Sequence, residues 1–287
     1  MSKMLEKAEC GSLYLAAGSD YQASRAVIFG APMDFTASHR PGSRSGSQAI
    51  RAASLGLEEY SIYSGKDLRD ACFYDAGNLA LPMGNTARSL AVIEDATETI
   101  FAAKKFPILL GGEHLVSLGA LRAAVKHYPK LAVLHFDAHA DLRTDYLGEP
   151  YSHASVMYHV YTELGAELFQ FGIRSATREE ETFAKEHTHY YPFHVFAPLK
   201  EAMPLLVNRP VYLSLDIDVV DPAFAPGTGT PEPGGISSVE LLEALALLRH
   251  LPVVGMDLVE VTPVYDSAGI TVMLAAKVIR EIILAFA

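Results

Sequence analysis

Residues 131–141 read LAVLHFDAHAD. The first six form an apolar run with the length and composition of a strand buried on both faces. The last five place Asp137, His139 and Asp141 two apart, so an extended chain would turn all three to one side. Two further strings repeat the arrangement: FPILL at 106–110 runs into GGEH at 111–114, and VYLSL at 211–215 overlaps SLDID at 214–218. Helical segments at 86–104 and 114–127 lie between such runs, and RAVIFG at 25–30 adds another strand. The alternation predicts an α/β fold with a mostly parallel central sheet. Carboxylates at the ends of its strands then fall on the edge where open parallel sheets bind ligands.

The chain has 287 residues, half of them hydrophobic, with no repeat and no linker rich in Pro, Gly or Ser. One domain over 1–287 is expected, residues 1–24 forming an N-terminal extension. A net charge of −11 makes nucleic acid and anionic membranes poor partners and favours a cationic ligand. Cys10 and Cys72 match no metal spacing and read as free thiols of a reducing compartment. The amino terminus has no signal-like apolar stretch, and no apolar run approaches about 18 residues, so a cytoplasmic location is expected. The carboxy-terminal stretch 271–287 is interrupted by Lys277, Arg280 and Glu281 and reads as a core helix. Segment 219–235, VVDPAFAPGTGTPEPGG, reads as a long irregular loop that walls the site.

His114, Asp137, His139, Asp141, Asp216 and Asp218 together offer two imidazoles and four carboxylates. A single DxH or DxD string is weak evidence, since aspartates at strand ends commonly cap the next helix or hold a turn. Three of them, each after an apolar run, would bury four carboxylates without partners unless cations are present. No cysteine joins the set, which argues against a thiolate zinc site. The oxygen-rich donors favour manganese and leave zinc, iron(II) and cobalt open. Six ligands exceed the needs of one catalytic ion and suit two, roughly 3.5–4 Å apart. His135 lies one step deeper in its strand and reads as a buried partner of the ligands. His39, His127, His159, His187, His189, His194 and His250 fit no chelating spacing. Glu113 and Asp221 adjoin the ligands and could either orient them or shape turns.

GGEH, FDAHADLR, SLDIDVVDPAFAPGTGTPEPGG and MDLVEVTP, in that order, resemble the signature blocks of the ureohydrolase family of arginases and agmatinases. GAPMDFTASHRPGSRSGSQAIR at 30–51 is similar to the family's amino-terminal block, so the resemblance runs from Gly30 to Glu260. It implies a three-layer α/β/α sandwich of arginase type and two Mn²⁺ ions. His114 would bind one ion and His139 the other, Asp137 and Asp216 would bridge them, and Asp141 and Asp218 would complete the two spheres. By the same resemblance a bridging hydroxide, hydrogen-bonded by Asp141, attacks a guanidinium carbon. His153 is then the catalytic histidine that protonates the departing amine, and Glu260 binds the guanidinium. Trimers or hexamers are implied as well.

Two divalent ions set against four aspartates and one hydroxide leave a charge of about −1, so a small cationic guanidine meets no repulsion. The loop LRTDYLGEPYS at 142–152 lacks the Ser and Asn groups with which arginases hold a carboxylate, and with FGIRSATREE at 171–180 it is more similar to bacterial agmatinases. The expected reaction is hydrolysis of agmatine to putrescine and urea, a step of polyamine synthesis. Asp145 or Glu149 would take the free amine. Arg143 fits that picture poorly and points instead to an acidic substrate such as 4-guanidinobutyrate. Arginase or guanidinobutyrase activity is the alternative within the family. A single-zinc deacetylase-like hydrolase and an inactive regulatory homologue are the alternatives outside it.

Overall fold

The computed structural model describes residues 12–287, so Cys10 and the first part of the expected extension lie outside the described residues. Ten strands are described: β1 (Ala26–Gly30), β2 (Tyr60–Ser61), β3 (Lys66–Asp67), β4 (Phe73–Asn78), β5 (Phe106–Leu110), β6 (Ala132–Phe136), β7 (Glu167–Phe171), β8 (His189–Tyr191), β9 (Val211–Asp216) and β10 (Val253–Val259). The helices are α1 (Gly46–Ser54), α2 (Thr86–Ala102), α3 (Val116–His127), α4 (Val156–Thr162), α5 (Arg178–His187), α6 (Phe196–Leu206), α7 (Ser238–Leu248) and α8 (Ile270–Phe286).

Eight strands make one parallel sheet in the order β4-β1-β5-β10-β9-β6-β7-β8, while β2 and β3 form a small antiparallel ribbon. Strands β1, β5, β6 and β9 are buried along their whole length. That is the burial expected of runs without polar alternation between two helical layers. Alternate residues feed opposite cores. Leu134, Phe136, Leu213 and Leu215 face α1, α6, α7 and α8, whereas Val133, Tyr212 and Leu109 face α2 to α5. The result is the expected single-domain three-layer sandwich.

Local signals set the helix ends. Asn85 caps α2 by accepting the Arg88 N–H at 3.0 Å, and the chain leaves α2 through Lys104 with a left-handed φ of 57°. The expected helix over 114–127 begins instead at Val116, because His114 and Leu115 form the turn that leads into it. Residues 12–24, expected as an extension, pack onto the domain. Tyr14 is buried, donates its N–H to Asp75 Oδ2 at 2.8 Å, and donates its hydroxyl to the Ala276 carbonyl at 2.6 Å. Helix α8 lies in the core as expected, and among the described residues no helix is long and apolar enough to cross a membrane.

Candidate metal centre and active site

Four neighbouring strands, β5, β10, β9 and β6, deliver the site from their carboxyl ends. Beyond β5 the chain passes Gly111 and Gly112 to reach Glu113 and His114. A Cβ on Gly112 would lie 1.8 Å from the Met33 carbonyl oxygen, so only glycine fits there. Segment 31–33 is laced to this turn by Ala31 N–H to Leu110 O at 2.9 Å, Gly112 N–H to Ala31 O at 2.9 Å and Glu113 N–H to Met33 O at 2.7 Å.

Beyond β6 the extended alternation expected for Asp137, His139 and Asp141 does not continue. Asp137 Oδ1 accepts the His139 N–H at 2.6 Å, and Asp141 takes a left-handed φ of 53°. After β9, Asp216 Oδ1 accepts the Asp218 N–H at 2.8 Å. Aspartate turns, not an extended strand, therefore gather the side chains, because a carboxylate two residues back satisfies the backbone amide more readily than the sheet edge can.

All six predicted ligands come together. His114 Nδ1 lies 3.0, 3.1 and 3.4 Å from Oδ2 of Asp137, Asp141 and Asp216. His139 Nδ1 lies 2.9 Å from Asp218 Oδ2 and 3.5 Å from Asp137 Oδ1. Asp137 thus offers one oxygen to each imidazole. His114 Nε2 sits 2.9 Å from Ser214 Oγ, which donates to Asp257 Oδ1 at 2.7 Å. That chain makes Nε2 a donor and turns Nδ1 toward three carboxylates with no aligned hydrogen bond. A proton or a cation must occupy the space between them, and the buried donor set fits a pair of divalent ions.

Without cations, protons take their place. Burial followed by the charges of Asp218 and Asp137 pushes the Asp216 carboxyl well above its usual range. Burial and Asp137 also raise Asp218. Burial opposes the charge on Asp137 too, but His135, His114 and His139 outweigh it and hold that carboxyl low. Burial works against protonation of His114 and His139, yet the surrounding aspartates raise both far above the ordinary imidazole value.

One step below the ligands, Gln170, His135, Ser214 and Asp257 stand in register across β7, β6, β9 and β10. His135 Nε2 lies 2.8 Å from Asp137 Oδ2, and its Nδ1 accepts from Gln170 Nε2 at 3.1 Å. Although it lies within chelating distance of the His114 cluster, both of its nitrogens have protein partners and it orients Asp137. Of the remaining histidines, His127 and His189 pair with Glu98 and Glu167, and His159 with Glu163, all away from the centre. Asp221 shapes its loop by accepting the N–H groups of Ala223, Gly234 and Gly235.

The ligands open on a cavity of about 270 Å³ that His139, Asp141, His153, Glu260, Arg143 and Glu180 help to line. The long loop after Asp218 contributes Thr230 to its wall. Glu260 follows β10 with a left-handed φ of 60° and accepts the His114 N–H on Oε1 at 2.8 Å. Two of the strained non-glycine backbones, Asp141 and Glu260, therefore belong to this site. Burial and the neighbouring Glu113 push Glu260 up to about 8, and burial pushes Glu113 up to about 7. His153 opens a short 3₁₀ turn, His153–Ser155, and burial lowers its pKa.

Arg143 lines the cavity, but Asp145 and Glu149 do not. Both are exposed and fold back on their own loop, accepting the N–H groups of Gly148 at 3.0 Å and Tyr151 at 3.2 Å. Asp145 lines an adjoining groove instead. The acidic group that faces the cavity from this side is Glu180, 3.6 Å from Arg143. Sequence reading missed Glu180, Tyr146, Ser38 and Thr36. Glu180 ends the FGIRSATREE stretch as the closing residue of a capping box with Thr177, and Thr36 and Ser38 lie within the block at 30–51, whose resemblance did not single them out.

The Arginase family profile matches residues 24–285. An agmatinase of Halalkalibacterium halodurans is 50% identical over 283 residues, covering 97% of this chain and 98% of the relative. An agmatinase of Bacillus subtilis is 48% identical over 285 residues, covering 98% of each. Among solved structures, the agmatine ureohydrolase of Thermoplasma volcanium superposes with a TM-score of 0.83 at 32% identity, covering 99% of this chain and 97% of that one. These matches extend along almost the whole chain, as do the blocks that build the His and Asp cluster, and the chain belongs to the arginase family.

Proposed function

We propose that this protein hydrolyses the guanidinium group of agmatine, releasing urea and putrescine, with two divalent cations held by His114, Asp137, Asp141, His139, Asp216 and Asp218. The observation that carries this reading is the placement of Asp137, with Oδ2 toward His114 and Oδ1 toward His139. It offers one carboxylate to both donor clusters, and by the family resemblance Asp216 would be the second ligand shared between the ions. A bound cation pair would supply a water of lowered pKa and charge stabilisation for attack on the guanidinium. Manganese is the metal that the oxygen-rich donors favour.

The protein's own groups do the rest. Glu260, beside Glu113 in a poorly solvated pocket, gains most from a cation, and its carboxylate can take a planar guanidinium through paired hydrogen bonds. Asp141 would orient the attacking water, and His153 is placed to pass a proton to the departing amine. Arg143 stands 3.6 Å from Glu180, which offsets its positive charge toward an acidic substrate. That favours agmatine over 4-guanidinobutyrate. The relatives bearing the name agmatinase support the same choice.

A cytoplasmic role in polyamine synthesis and a homo-oligomeric assembly belong to the same proposal. The free thiol of Cys72 and the exposed apolar side chains of Leu55, Val264, Ile270 and Met273 support them. Urea release from agmatine by manganese-loaded protein tests the reading. It is expected to disappear after chelation and in Asp137→Ala, and unchanged release by that variant contradicts it.

A further inference from the structure

We infer that Thr36 is a positioning residue, whose hydroxyl, held by Glu113, fixes where His153 stands above the metal-ligand cluster. The inference rests on the proton-relay reading of His153. Thr36 is held from one side and acts on the other. Its backbone N–H donates to Glu113 Oε2 at 2.7 Å, and its hydroxyl donates to the same oxygen at 3.0 Å. With the single hydroxyl proton thus committed, the oxygen accepts the backbone N–H of His153 at 3.0 Å. The imidazole Nδ1 lies 3.4 Å from that oxygen, and Ser38 Oγ, two residues on, lies 3.1 Å from Nε2.

The anchor is rigid. Glu113 is fully buried, directly precedes His114, and belongs to the turn laced to segment 31–33. His153, by contrast, stands at the end of a loop whose residues 147–150 are exposed. Locally it is held by the capping box between Ser152 and Ser155 and, on the Asp141 side, by Arg143 N–H to Ala154 O at 3.1 Å and Met157 N–H to Asp141 O at 3.0 Å. The contacts through Thr36, which lies 117 residues from His153 in the sequence, add a tie from that turn to the segment that carries Glu113 and His114. A relay must sit within hydrogen-bond reach of its proton, so small displacements weigh heavily on turnover and little on substrate affinity.

The test is a double-mutant cycle on the manganese-loaded protein, with Thr36→Val and His153→Asn alone and combined, and Thr36→Ser as the conservative control. Turnover, KM for agmatine, bound manganese and melting temperature are read for each. Thr36→Val is expected to lower kcat on the order of ten- to a hundredfold with KM and metal content unchanged. Thr36→Ser restores kcat, and Thr36→Val has no further effect, within about twofold, once His153 is Asn. The inference is overturned if Thr36→Val turns over at the wild-type rate, if it sheds manganese, or if its loss is equally large in the His153→Asn background. Wild-type turnover by His153→Asn alone would remove the relay reading itself, a failure distinct from the other three.

Discussion

His114 and Asp137 meet at 3.0 Å through Nδ1 and Oδ2, two buried acceptor-rich groups with no aligned hydrogen bond between them. A cation relieves that contact. Chelator-treated protein is predicted to take up two divalent ions per chain. Asp137→Ala should lose uptake at both positions, because its two oxygens face different imidazoles. Metal analysis after dialysis checks this, with urea release falling on the order of a hundredfold or more. Retention of two ions by the variant would refute the shared-carboxylate geometry.

His153 touches no aspartate of the cluster, so its loss should spare the metal. His153→Asn is predicted to keep its manganese and to lose about 10²- to 10⁴-fold in kcat. Parallel metal analysis and steady-state kinetics separate this outcome from a collapse of the centre.

Asp145 and Glu149 fold onto their own loop, whereas Glu260 faces the cavity. Asp145→Asn and Glu149→Gln are therefore predicted to leave kcat/KM for agmatine within about twofold. Glu260→Gln should lower it on the order of ten- to a hundredfold, as expected for loss of a charged hydrogen-bonding partner. A large effect of Asp145→Asn would restore the loop to the binding site.

Much of this was legible in the sequence. Strands β5, β6 and β9 fall where FPILL, LAVLHF and VYLSL lie, because a strand covered on both faces must be apolar throughout. The cluster of six candidate ligands was legible because such residue types are costly to bury together without cations. The turns that gather them were not, since Asp141 reaches its place through a left-handed backbone that side-chain alternation does not encode. Thr36 and Glu180 stayed hidden for a related reason. Their roles depend on which loops meet across the sheet edge, and nothing in the local pattern of either segment fixes that meeting.

In the metal-free protein the folded pKa values of Glu113 and Glu260, about 7 and about 8, lie above an unfolded value near ~4.3. A raised folded value means that the folded state binds more protons. The stabilisation is complete below the unfolded value and is lost as pH rises through the folded one. The melting temperature of chelated protein should therefore fall from about pH 5 to about pH 8, and Glu260→Gln should flatten the slope. Added manganese should reverse it, since the ligands must shed protons to bind. Metal-free protein that gains stability over this window would contradict the assignment.

The Arg51–Asp75 pair beneath β4 is buried and bidentate, with Nε to Oδ2 at 2.8 Å and Nη2 to Oδ1 at 2.9 Å. Asp75→Ala leaves the buried guanidinium without its carboxylate, with only neutral acceptors on Asn78, Gly77 and Ser47, and removes the acceptor of the Tyr14 N–H. A loss of about 3–5 kcal/mol in denaturant unfolding is predicted, and a loss below about 1 kcal/mol would show that water or another group replaces the carboxylate.

The most direct test of the proposed activity is a side-by-side measurement of kcat/KM for urea release from agmatine, arginine and 4-guanidinobutyrate by the manganese-loaded protein. A cavity in which Arg143 stands 3.6 Å from the carboxylate of Glu180 predicts a clear preference for agmatine. A preference for arginine or for 4-guanidinobutyrate would contradict it.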